Sequence, residues 1–226
     1  MDTQTSITAL KTANGVAISN LMGIGGITGT TRSLATMAEG LVELRANPDP
    51  SYSKETQDRN YLKKFTQETQ KAEGLITRER ERLDMGIVGL YGAAREKAGI
   101  KVPHNASEIR QALLKLDVKA RDAALSAAVK GGYGDVLGAI EGQPSWLYGG
   151  ATRPVGSLIE DALEVASPGY RGTREKYDEA HRNLNLCEKH FTSASEGLRN
   201  PLGEQKAQQA SERHQSAMQK LGEAAA

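Results

Sequence analysis

The sequence predicts an all-α fold: long helices with heptad-like seams, a small central cluster of short helices, a C-terminal helical hairpin and a glycine-rich N-terminal arm. Three observations lead there. Apolar residues recur at steps of three and four along two long stretches, caps and breakers stand where those stretches stop, and bulky core residues are scarce. Aromatic residues make up 4% of the 226 positions and the apolar fraction is 38%. Alanine-rich faces pack closely, but each residue removes little apolar area from water at roughly 25 cal/mol per Å². Slender helices that borrow stability from neighbouring subunits therefore fit better than one thick core.

Residues 1–32 are small, polar and glycine-rich and read as an extended arm. Ser33 is placed to cap a first helix whose apolar positions are Leu34, Met37, Leu41, Val42 and Leu44, and Pro48 and Pro50 stop it. A long helix follows over about 54–98, roughly 65 Å at 1.5 Å per residue, with Gly86 and Gly89 as points where it could bend. Its seam runs through Leu62, Phe65, Thr69, Ala72, Ile76, Glu79, Leu83, Gly86, Leu90 and Ala93. Gly99 suits the position just past the helix end, Pro103 blocks continuation, and Asn105 with Glu108 forms a candidate capping box.

Ile109, Leu113 and Leu116 then form one apolar stripe, and Asp117 is placed to cap a helix over Val118–Lys130 that "GGYG" closes. With a short helix around "DVLGAIEG", these segments predict a small core of Leu113, Leu116, Leu125, Val129, Leu137 and Ile140. Ser157 and Glu160 form a Ser-x-x-Glu box ahead of "LIEDALEVA". The last seam is the cleanest: Tyr177, Ala180, Leu184, Cys187, Phe191, Ala194 and Leu198. "NPLG" interrupts it, and a final helix with Ala207, Ala210, His214, Ala217 and Leu221 would complete an antiparallel hairpin or a kinked pair. The resulting divisions are 1–32, 33–101, 102–156 and 157–226.

The function classes narrow by exclusion. A net charge of +1 argues against a dominant electrostatic attraction to nucleic acid or to an anionic membrane. Cys187 is the single cysteine, so no internal disulfide forms. The opening "MDTQTSITALKTANG" lacks a basic region followed by an apolar core, and "GVAISNLMGIGGI" falls short of the ~20 apolar residues of a membrane helix. These features lead us to expect cytoplasmic synthesis and a soluble product.

"GIGGITGTTRS", Gly23–Ser33, lacks the lysine of a phosphate loop and has Thr28 where a dinucleotide fingerprint needs glycine. His104, His181, His190 and His214 are dispersed, without zinc-site spacing, and Cys187 lies on an apolar seam. No Gly-x-Ser-x-Gly elbow occurs, and acidic pairs such as Glu160 with Glu164 or Glu175 with Glu179 share helix faces without an apolar pocket. The sequence thus implies no catalytic residue, cofactor or metal, and a non-enzymatic protein.

Association surfaces remain. "GQPSWLYGGATRPVG", Gly142–Gly156, holds the only tryptophan in a Pro-Gly frame. Trp146, Leu147 and Tyr148, with Tyr177, Leu184, Phe191 and Leu198 of the C-terminal seam, are the candidate protein-interface residues. Trp146 either plugs the core beside it or anchors a neighbour. An alternative partner is nucleic acid, through Lys63, Lys64, Lys71, Arg78, Arg80 and Arg82, although Glu79 and Glu81 dilute that charge. A second alternative is an enzyme regulator.

"AALSAAVKGGYGDVLGAIEGQPSWLYGG", Ala123–Gly150, resembles a "VLxAIxGxPxWLxG"-like pattern in structural proteins of tailed bacteriophages and prophages. The resemblance spans roughly 30 residues. It implies a small helical virion component of the head or neck region, assembling with itself and with other virion proteins, and carries over no catalytic residue.

Overall fold

The computed structural model describes residues 27–148, 153–199 and 216, and among these every regular element is helical. In chain order they are α1 (Ile27–Ala46), α2 (Lys54–Lys97), α3 (Ala106–Lys115), α4 (Val118–Gly131), α5 (Gly134–Ile140), α6 (Ser145–Tyr148), α7 (Val155–Ala166) and α8 (Tyr170–Leu198). The all-α prediction therefore holds. Two compact units form: one takes residues up to Glu81 and from Glu179 onward, the other is Arg82–Asp178. Each of the long helices α2 and α8 contributes to both. Residues 1–26 of the expected arm, and the second limb of the C-terminal hairpin apart from residue 216, lie outside the described residues.

In the first unit, α1, the first part of α2 and the last part of α8 lie against one another. The Arg45 Nη1 of α1 donates to the Gly197 carbonyl at 3.0 Å, and the Tyr61 hydroxyl of α2 donates to the Leu198 carbonyl at 2.9 Å. These donors satisfy carbonyls that the end of α8 would otherwise leave unpaired. Further along, Arg80 Nη2 donates to Glu188 Oε2 at 2.6 Å and to Asn185 Oδ1 at 3.1 Å. Residue numbers rise along α2 as they fall along α8, so the two helices are antiparallel. The interior is thin, as the composition foretells: its buried residues include Leu34, Ala38, Leu41, Ala72, Ile76, Ala180, Leu184, Cys187, Phe191, Ala194 and Leu198.

The second unit has the thicker core, built from Leu125, Leu137, Ile140, Leu158, Leu163 and Tyr170, with Ala94, Ala98, Ile100, Leu113 and Val129 around them. In α7 the buried residues Val155, Leu158, Ile159, Ala162 and Leu163 make one continuous helical stripe. The entry to α8 is capped from α7: Glu164 accepts from the backbone amides of Gly169 and Arg171, both at 2.8 Å. Both amide bonds hold its carboxyl below the ordinary carboxylate range.

Several sequence expectations need correction. α1 begins at Ile27, so Ser33 lies inside the helix and residues 27–32 are not an extended arm. Thr30 and Thr31 are buried there. Asn105 makes no side-chain cap, whereas Asp117 does, accepting from the Ala120 amide at 2.8 Å. α7 starts at Val155 after Pro154, two residues before the expected Ser157 box; the Val155 amide instead donates to Ser145 Oγ at 3.2 Å. Leu116 leaves the core, because α3 has ended at Lys115 and Leu116 is extended. α2 is continuous through Gly86 and Gly89, and its seam shifts after Leu90, so Ala94 rather than Ala93 is buried. A straight helix drifts relative to a seven-residue repeat, which carries the seam forward by one position.

Backbone approaches backbone closely between α5 and the exit of α2. A Cβ on Gly134 would stand 2.1 Å from the Gly99 carbonyl oxygen, and one on Gly138 would stand 2.0 Å from the Lys101 carbonyl oxygen. Neither position has room for any side chain, and the obstacle is backbone. Gly138→Ala is expected to cost about 3 kcal/mol, the upper end of overpacking penalties. Gly156→Ala, where a Cβ meets nothing within 4 Å, should instead add about 0.5–1 kcal/mol through helix propensity. Urea unfolding of the two variants checks the pair; equal stabilities would contradict the contact.

Candidate functional site

The segment from Glu141 to Tyr148 connects α5 to α6 and is fastened at several points. At its start, Glu141 accepts from Arg95 Nη2 at 2.6 Å and from the Tyr91 hydroxyl at 2.5 Å, both on α2. Gly142 follows with φ of +73°, a left-handed conformation that lets the chain reverse at once. Pro144 then opens a single helical turn, its carbonyl accepting from the amides of Leu147 and Tyr148 at 3.1 Å each. Arg121 of α4 closes the frame, donating to the carbonyls of Leu147 and Leu116 through its two terminal nitrogens.

One guanidinium therefore holds two chain segments, α6 and the α3–α4 turn, side by side. The direction of each α6 side chain follows from this frame. Tyr148 is buried and Leu147 packs against the core, whereas Trp146 is 84% exposed. Leu116 on the α3–α4 turn and Val118 at the start of α4 are 36% and 52% exposed. The sequence left open whether Trp146 is a plug or an outward anchor; its indole points to solvent, and Leu147 and Tyr148 do the plugging.

The remaining candidate interface residues have intrachain places. Leu184, Phe191 and Leu198 are buried in the first unit. Tyr177 covers Gly86, with its ring atoms 2.6–2.8 Å from where a Cβ would stand. Of the seven residues, Trp146 has its side chain most fully in solvent.

The frame residues Arg121, Glu141, Arg95 and Tyr91 were not singled out from sequence. They come together over separations of 26 to 50 residues, which no local spacing encodes.

The cations considered for nucleic acid are largely engaged. Lys64 and Lys71 share Glu68 at 3.1 and 2.9 Å, Arg80 is paired with Glu188, and Arg78 Nε donates to the Gly74 carbonyl. Burial pushes the Cys187 thiol up to about 11, as expected of a thiol acting as a small hydrophobe. Among the described residues no group of three metal-ligating side chains converges, and no helix is long and apolar enough to cross a membrane.

The Glu141 clamp titrates. Burial alone would raise its carboxyl, but the hydrogen bonds from Arg95 and Tyr91 and the Arg95 charge outweigh burial and hold it below the ordinary 4.5. The same clamp, with burial the larger cause, pushes the Tyr91 phenol up to about 12. A carboxyl depressed in the folded state stabilises fully above its unfolded pKa, and that contribution disappears as pH falls through the folded value. Glu141→Gln should therefore lower stability by about 1–2 kcal/mol at neutral pH, and the gap to wild type should close on acidification. Urea midpoints of both proteins against pH check this; a gap independent of pH would contradict it.

Comparison with known proteins assigns the chain to no group: no family model, no curated protein and no solved structure matches it.

Proposed function

We propose that this protein is a non-enzymatic structural or assembly component that packs into a homo-oligomer or larger complex, and that the complex is a bacteriophage particle. The observation that carries the first part is Trp146, held outward on a turn fastened from α2 and α4 and exposed at 84%. An indole in water on a rigid frame loses little conformational freedom when a neighbour covers it, which is the property of interface hot spots. The thin, alanine-lined interior of the first unit supports the same reading, because such a unit gains from contacts beyond itself. The virion assignment rests on the likeness of Ala123–Gly150 to phage structural proteins. Nucleic-acid binding is the less supported alternative, given the ion pairs along α2.

Sedimentation velocity from about 1 to 200 µM tests the reading, since association must follow mass action. Wild type is expected to shift to larger species with concentration, and Trp146→Ala to associate at least tenfold more weakly with unchanged helix content. An unchanged oligomer in the variant, or a wild-type monomer throughout, would contradict it.

A further inference from the structure

The second half of α2 carries an apolar face that none of the described residues of its own unit covers. Met85 and Val88 are 68% and 70% exposed, and Gly89 and Gly92 are exposed beside them, with nothing within 4 Å of a Cβ built at either glycine. Positions 85, 88, 89, 92 and 96 follow helical spacing along one side of the helix, while Leu83, Ala94 and Ala98 are buried on the other. Two glycines in a helix interior weaken it unless something needs a close approach there. Gly86, three residues earlier, shows such a use inside the chain, since the Tyr177 ring lies directly on it. Among the described residues no group approaches Gly89 or Gly92 in this way.

We propose that this face is a docking surface for a second copy of the same chain, with the two α2 helices antiparallel about a two-fold axis near Val88 and Gly89. The pattern is self-complementary. The two large residues precede the two open glycines, so an antiparallel pairing sets Met85 over Gly92 of the partner subunit and Val88 over Gly89 of the partner subunit. A parallel pairing in register would set large against large and leave the glycines facing a gap.

Charge agrees with the antiparallel sense. Arg82 stands at one end of the face and the exposed Glu96 at the other, so the two-fold brings Arg82 towards Glu96 of the partner subunit at both ends. Arg82 already interacts within its own chain, and a guanidinium has five N–H donors to share. A contact of one helix face falls below the roughly 1,200 Å² of a standard stable interface. The dimer is therefore weak and concentration-dependent. This inference rests on the self-associating reading above, but it uses a surface distinct from Trp146.

The test uses the full chain and two kinds of variant. Gly92→Leu and Gly89→Leu introduce side chains into open space, so folding should be retained while association in sedimentation weakens at least tenfold. Val88→Cys should cross-link to a dimer under copper–phenanthroline oxidation, because the axis brings the two thiols together. Lys97→Cys, exposed on the same helix but off this face, should not. Unchanged association in both glycine variants, or equal cross-linking at positions 88 and 97, overturns the inference. Association lost in Trp146→Ala yet untouched by the glycine variants overturns this surface alone; a wild-type monomer at every concentration overturns both readings.

Discussion

Backbone meets backbone where α5 crosses the end of α2, and the second unit depends on that approach. Gly134 and Gly138 leave no space for a Cβ above the carbonyls of Ala98, Gly99 and Lys101. With α5 drawn down so far, Leu137 and Ile140 reach the centre of the core beside Leu125 and Leu158. The end of α5 is then close enough to α2 for Glu141 to accept from Arg95 and Tyr91. Each later step inherits this placement: Gly142 turns the chain, Pro144 starts α6, and Arg121 ties α6 to the α3–α4 turn. The outward direction of Trp146 is the last consequence of two missing methyl groups.

The sequence makes the helices legible and their faces mostly so. Asp117 caps α4 and Gly99 takes a positive φ just past α2, because both signals act over three or four residues and need no tertiary partner. Ser33, Asn105 and Ser157 carry the same local signal and are overridden. The helix at Ser33 extends back to Ile27, where Thr30 and Thr31 are buried. At Ser157 the first amide of α7 finds Ser145, ten residues away in another segment. The C-terminal seam from Ala180 to Leu198 is buried at each of its expected positions, since a strict apolar repeat on one helix has only one face to bury.

The candidate site was legible in its residues and illegible in its orientation. Pro, Gly and one tryptophan mark "GQPSWLYGG" as a rigid turn, but rigidity does not say which of Trp146, Leu147 and Tyr148 faces in. That choice is made by Arg121 and Glu141 across long separations in sequence. Met85 and Val88 were hidden for a different reason: they lie between seam residues in sequence but on the opposite side of α2, and two exposed apolar residues among charged ones give no local signal until Leu83, Ala94 and Ala98 are seen to fill the other side.

The two units resemble each other in burying small residues between helices, and the second leaves large apolar groups in water at defined places. Ordinary surfaces scatter such residues singly. Here Trp146 is on a fastened turn and Met85 with Val88 is on an uninterrupted helix, so each presents a fixed shape to a neighbour.

In the isolated chain the frame directs the indole outward. Because the chain has one tryptophan, its fluorescence reports that residue alone. Iodide quenching of the dilute monomer measures it most directly. Quenching close to that of a free indole, with the red-shifted emission of a hydrated ring, is the expected result. A blue-shifted emission that iodide does not reach would place Trp146 in the core and contradict the account.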